Sequence, residues 1–160
     1  MKEILSDIII TASPDDVWEI LTDFPAYPEW NPFVRSIRGA PKAGERLEVH
    51  LRPPGRREMV SRPKVIRALK GRELRWTGRL LVAGLFDGEH RFTIEPLADG
   101  QVRFVQAEVF SGFLVPLLPG AIADTERGFA AMNRALKERA ERVEEHRRAE
   151  KEPKQVPAPY

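Results

Sequence analysis

Cysteine is absent from the 160 residues, which excludes disulfides, thiolate metal ligands and cysteine nucleophiles. Histidine is scarce, with only His50, His90 and His146. No metal triad, phosphate loop or activated nucleophile can be assembled from the remaining motifs, and neither metal nor cofactor is expected. No run approaches the ~20 apolar residues of a membrane span. The one β-branched run, Ile8-Ile9-Ile10, sits in a segment carrying Glu3 and Asp7 without a cleavage pattern, so no signal peptide and a cytoplasmic location are expected. Charge of either sign is also not in excess. Twenty-six Lys and Arg face 24 Asp and Glu for a net +2, a balance that gives no footprint for nucleic acid. Hydrophobic content of 42% and charged content of 31% describe an ordinary globular chain, with length for one domain and a real core.

What is present concentrates in the stretch from Leu85 to Phe113. Two alternating arms place Phe86, His90, Phe92 and Ile94 on one face, and Phe104, Gln106, Glu108 and Phe110 on one face. For these to be the same face, Ile94 must lie opposite Phe104. That pairing requires a three-residue loop, Ala98-Asp99-Gly100, with Gly100 in the left-handed conformation. The same register sets His90 opposite Glu108, with Cβ atoms about 5 Å apart. An apolar wall holding one imidazole–carboxylate pair is either core or the lining of a pocket.

The rest of the chain frames that hairpin. Residues 2–11 read as a strand. Ser13-Pro14-Asp15-Asp16 starts a helix, with a capping hydroxyl, proline at the first helical position and acids in the first turn. Pro25 and Pro28 keep this helix short, and the aromatic segment 24–32 forms a second short helix or turn in which Tyr27 and Trp30 plug one end of the core. Antiparallel strands fill Phe33 to Leu80, with turns at 53–57 and 70–72. Within them Leu47, Val49 and Leu51 alternate with polar residues, as do Leu74, Trp76, Gly78 and Leu80. Arg52, Arg56, Arg57, Arg62 and Lys64 gather about the first turn, a solvated hairpin tip. The greasy loop 112–120 is interrupted by two prolines and either tucks under the fold or covers a pocket mouth. Finally Ile122, Phe129, Met132, Leu136, Ala140 and Val143 recur at helical spacing and predict one long amphipathic helix. The expected domain is 1–146, followed by a charged, Pro-rich disordered tail at 147–160. The expected class is α+β: about seven antiparallel strands curled around that helix, with two short helices after the first strand.

The fragments SPDDVWEILTDFPAYPEWNPFV, RELRWTG, GLFDGEHRF and GFAAMNRALKERAE resemble the SRPBCC, or START-like, superfamily, in particular its bacterial polyketide cyclase/dehydrase and lipid-transport group. The resemblance spans residues 2–145. It implies a helix-grip fold with a hydrophobic cavity between sheet and long helix, holding a lipid-, sterol- or polyketide-like molecule. The expected ligand-binding residues are Trp30, Asn31, Trp76, Phe86, His90, Phe92, Phe104, Gln106, Glu108, Phe110, Phe129, Met132 and Asn133. The expected function is carriage or sensing of a small hydrophobic molecule, without nucleic acid. One alternative is a cyclase or dehydratase with His90 as general base and Glu108 orienting it. Another is a protein-interaction module. Oligomeric state is not legible.

Overall fold

A computed structural model describes residues 1–80, 84 and 86–153. The chain opens with β1 (Lys2–Ile10), whose inner-face residues Ile4 and Ile10 are buried. Helix α1 (Pro14–Thr22) starts as its sequence requires, with the Asp16 amide donating to Ser13 Oγ at 3.1 Å. A single 3-10 turn and the four-residue α2 (Tyr27–Trp30) follow. Tyr27 is fully buried and donates its hydroxyl to the Leu21 carbonyl, so it plugs the core and also ties α2 back to α1.

Among the described residues, eight strands form two antiparallel sheets. β2 (Val34–Arg38), β3 (Glu48–Leu51) and β4 (Met59–Ser61) make a three-stranded sheet. β5 (Lys64–Leu69), β6 (Glu73–Leu80), β7 (Phe86–Pro96) and β8 (Val102–Ser111) join β1 in the order β1-β8-β7-β6-β5. The Arg46–Lys64 bridge and the Leu47-to-Pro63 backbone bond, 2.8 Å, connect the sheets near the start of β5. Eight strands replace the expected seven because β4 is only three residues long and too short to show alternation.

The hairpin register is the one its alternation demands: Ile94 pairs with Phe104 and His90 with Glu108. Leu97 donates to the Gln101 carbonyl at 2.8 Å, closing the 98–100 loop. Both Asp99 (φ 61°) and Gly100 (φ 71°) are left-handed there, so the turn uses two such residues where the sequence indicated one.

Helix α3 (Pro119–Lys151) lies against the inner face of the five-stranded sheet. Ile122, Phe129, Met132, Leu136 and Ala140 are buried as expected, but Val143 is 40% exposed. From that turn onward ion pairs replace apolar contact. Arg147 makes a two-pronged bond to Asp16, at 2.7 and 2.9 Å, and Glu144 lies 3.9 Å from the same guanidinium. This clamp corrects the expected tail boundary, since residues 147–151 are helical. An extension secured by charge carries no apolar face. The remainder of the expected tail, 154–160, and Leu85 at the start of the hairpin stretch lie outside the described residues.

Gly128, in the middle of α3, is where the helix meets the edge of Phe33. A methyl group there would lie 2.4 Å from two carbons of the Phe33 ring, which also makes an edge-on contact with Phe129 at 6.0 Å. Glycine inside a helix ordinarily costs about 1 kcal/mol relative to alanine. Here the sign reverses. Gly128→Ala should lower unfolding free energy by about 1–3 kcal/mol through overpacking, whereas Gly120→Ala, with nothing within 4 Å of the added carbon, should lower it not at all. Urea melts of the two variants check this.

Candidate functional site

The inner face of the β7–β8 hairpin carries a continuous polar chain through an aromatic interior. His90, only 5% exposed, is stacked between Phe92 at 4.1 Å and Phe129 at 4.6 Å, with Trp76 edge-on at 5.3 Å. Its Nε2 lies 3.0 Å from Gln106 Oε1. Gln106 donates from Nε2 to Asn133 Oδ1 at 2.6 Å and, more weakly, to the Phe129 carbonyl at 3.4 Å. Asn133 in turn donates to Ser6 Oγ at 3.2 Å. The chain links β7, β8, α3 and β1, and so fastens the helix to the sheet at its middle.

The Phe129 carbonyl sets the direction of these bonds. A carbonyl only accepts, so the Gln106 amide group faces α3 and its oxygen faces the imidazole. His90 therefore carries its proton on Nε2, and Nδ1 presents a lone pair. Glu108 Oε2 stands 3.9 Å from that lone pair, too far for a hydrogen bond.

Desolvation decides the charge of both groups. Burial pushes His90 down to about 3, against a smaller opposing effect from the Gln106 bond, and burial pushes Glu108 up to about 8. At neutral pH the imidazole and the carboxyl are both uncharged. At 3.9 Å without a bond, attraction between the two groups does not offset the loss of water. A histidine so reluctant to take a proton is a poor general base at pH 7.

Gly88, which the sequence reading did not single out, makes room for this carboxyl. A Cβ at Gly88 would fall 2.4 Å from Glu108 Oε1, so the missing side chain is the slot into which Glu108 folds. Gly88 pairs with Gly78 on β6, leaving two adjacent inner-face positions without side chains. Glu108 retains 17% of its side-chain exposure although it is desolvated enough to stay protonated.

The other expected residues divide into two groups. Phe104, Phe110, Met132 and Asn133 are buried with the hairpin face, and Phe86 packs on Phe110 at 5.3 Å. Trp30 and Asn31 serve the 24–34 segment. Trp30 packs on Tyr27 at 5.1 Å, and Asn31 Oδ1 accepts from the Phe33 and Val34 amides at 3.0 and 2.9 Å. Its Nδ2 is buried with no partner among the described residues. Ser6 was not anticipated either, although a hydroxyl among Ile4, Ile8 and Ile10 on one face of β1 was the available signal. Hollows on the described surface include two that the expected ligand residues do not line. One of about 420 Å³ runs beside Thr77, Arg79, Asp87 and Glu89. The other, of about 530 Å³, is lined by Arg35, Arg52, Arg56, Arg57 and Glu58. Among the described residues no group of three His, Asp or Glu could hold a metal ion, and no helix is long and apolar enough to cross a membrane.

The two displaced ionisations act on stability from opposite sides. The unfolded histidine takes a proton below 6.5 and the folded one only near 3, so stability is lost as pH falls through that range. The unfolded carboxyl ionises above 4.5 and the folded one only near 8, so stability is lost as pH rises through that range. Between 4.5 and 6.5 the effects cancel. From pH 6.5 to 8 the native chain should lose stability about 1.4 kcal/mol per pH unit faster than Glu108→Gln. Urea melts across that range measure both slopes, and equal slopes would mean that Glu108 ionises normally.

The sequence matches the family described as polyketide cyclase/dehydrase and lipid transport over residues 1–141. A comparison with curated proteins finds no match. Several solved structures share the fold. A START superfamily protein from Mycobacterium smegmatis is 20% identical over 88% of this chain and 98% of its own, with a TM-score of 0.66. A protein from Mesorhizobium loti is 20% identical over 89% and 98%, with a TM-score of 0.71. The Zhui aromatase/cyclase from a Streptomyces species is 18% identical over 88% and 94%, with a TM-score of 0.68. At these identities the likeness establishes the START-like helix-grip fold, and the match over residues 1–141 establishes membership: this chain belongs to the polyketide cyclase/dehydrase and lipid transport family.

Proposed function

We propose that this protein binds a small hydrophobic molecule between its five-stranded sheet and α3, as a carrier or sensor, with Glu108 and His90 as the polar end of the site. The observation that carries the reading is the pair of uncharged polar groups on the aromatic wall that stand out of hydrogen-bond reach of one another. A protonated carboxyl and an imidazole lone pair face each other at 3.9 Å without satisfying one another. A neutral carbonyl of an apolar ligand can accept from the first, and a hydroxyl can accept from the first, donate to the second, or both. An anionic ligand group would find no counter-ion there. Family membership supports the reading, since its description names polyketides and lipids.

Aromatic stacking fills the centre of the interior, so the ligand enters from the Phe86–Glu108 end, where both side chains keep partial exposure. Walls that are mostly apolar with a few placed polar groups are the usual make-up of such sites. The same geometry disfavours the cyclase alternative, because a histidine held near 3 cannot be a strong base at neutral pH.

Native mass spectrometry of the protein purified from its host should show a co-purifying apolar molecule. Glu108→Leu should lower its occupancy by about tenfold, the loss of one hydrogen bond in an apolar site. A protein that carries nothing would overturn the proposal. Were His90→Ala to retain the bound molecule but abolish its conversion, the protein would be an enzyme instead.

A further inference from the structure

Two features that are separate in sequence meet at one end of the molecule. The first is the arginine-rich tip between β3 and β4. Arg35, Arg52, Arg56 and Arg57 line the surface hollow of about 530 Å³, with Glu58 as its one acid. The second is the apolar segment between β8 and α3, where Phe113 is 84% and Leu117 72% exposed. Arg56 joins them: its Nε lies 3.0 Å from Asp124 Oδ2 in the second turn of α3, seven residues after Leu117.

The apolar segment is held in position. Phe113 donates to the Gly84 carbonyl at 3.2 Å and Leu117 to the Leu114 carbonyl at 3.0 Å. Val115 between them turns inward and is buried, as is Ile122 in the first turns of α3. Phe113 and Leu117 are therefore presented outward on a supported turn, and neither fills a recess. The acids of these two segments are already partnered. Glu58 lies 3.2 Å from His50 Nδ1, and Asp124 is shared by Arg56 and Arg127. No acid stands in the first turn of α3, so the positive end of the helix dipole adds to the local potential.

We propose that this end of the molecule, the Arg52–Arg57 tip together with Phe113 and Leu117, docks onto an anionic lipid bilayer. The arrangement ties the segment bearing the projecting apolar side chains to the guanidinium cluster through the Arg56–Asp124 pair. That is what an interface of acyl chains under negatively charged headgroups accepts. A protein partner would need a matching recess for each of the two side chains, whereas a bilayer receives them at any point. A second copy of this chain, packed symmetrically through the same surface, would set arginines against arginines. The docking surface stands apart from the interior site, and neither depends on the other being correct.

Flotation of the full chain with phospholipid vesicles tests the proposal. The protein should float with mixed phosphatidylcholine–phosphatidylglycerol vesicles, less so in high salt, and not with pure phosphatidylcholine. The double variant Arg56→Glu, Arg57→Glu should bind the anionic vesicles at least ~10-fold more weakly, as should Phe113→Ser, Leu117→Ser. Thermal melts identify any variant that fails to fold. Phe113→Trp gives a readout that needs no loss of binding: its added emission should shift to the blue with anionic vesicles and stay unchanged with inorganic phosphate. Absence of flotation by the native chain, equal flotation with neutral vesicles, unchanged binding by folded variants, or a response to phosphate alone would each overturn it.

Discussion

A single helix has to cover the dry face of five strands, and the character of the interior follows from that constraint. The stripe α3 can offer is narrow and partly alanine, whereas the facing wall carries Trp76, Phe92, Phe104 and Phe110, all buried. On the side of the segment leading into β2, outside that wall, close approach is obtained by removing a side chain altogether, where Gly128 receives the ring of Phe33. Elsewhere the gap is bridged by side chains that are long or polar. Gln106 and Asn133 reach across between sheet and helix, and Phe129 reaches down onto His90. The polar chain is thus part of the way a wide sheet is fastened to a thin helix. It satisfies its own groups as it crosses, up to the point where it ends at His90 Nδ1.

That ending also explains why the charge states could not be read from sequence. Alternation and turn chemistry are local, and they placed His90 opposite Glu108 correctly, down to the loop that fixes the register. Whether such a pair ionises depends on how much water reaches it, and that is decided by residues far away in the chain. Phe129 lies in α3 and Trp76 in β6, and both close on the imidazole. Gly88 is a similar case. In sequence it is a gap between Phe86 and His90; in space it is the seat of the Glu108 carboxyl. The overall architecture was legible because periodicity reports which face of an element is dry. Side-chain contacts between elements are not periodic, and they were not legible.

The end of α3 shows the complementary limit. Apolar spacing fades at Val143, and the helix nevertheless continues to Lys151. Asp16, placed in the first turn of α1 to favour that helix's positive end, is also the partner of Arg147. One carboxylate therefore serves a local role visible in sequence and a long-range role that is not. Removing it would leave a guanidinium without its two-pronged partner at the contact between α1 and α3. The last helix continues past its own hydrophobic pattern, and an ion pair across 131 residues of sequence holds that extension to α1.

Geometry also relates the interior site to the surface proposed to meet a bilayer. β8 runs from the polar chain at Gln106 through Glu108 and Phe110 directly into the segment bearing Phe113 and Leu117. Only Val109, Phe110, Ser111 and Gly112 lie between Glu108 and Phe113, the first three of them still in β8. The half-exposed side of the inner wall, with Phe86 and Glu108, therefore lies toward the same end as the arginine tip, while the closed 98–100 turn lies at the other. A molecule leaving a bilayer at that end would meet Phe86 and Phe110 before it met the carboxyl. An apolar chain would thus be desolvated by the aromatic rings before its polar end was tested against Glu108 and His90. That order suits ligands carrying one neutral polar group on a long apolar body. An anionic group would find no positive charge at the end of that path.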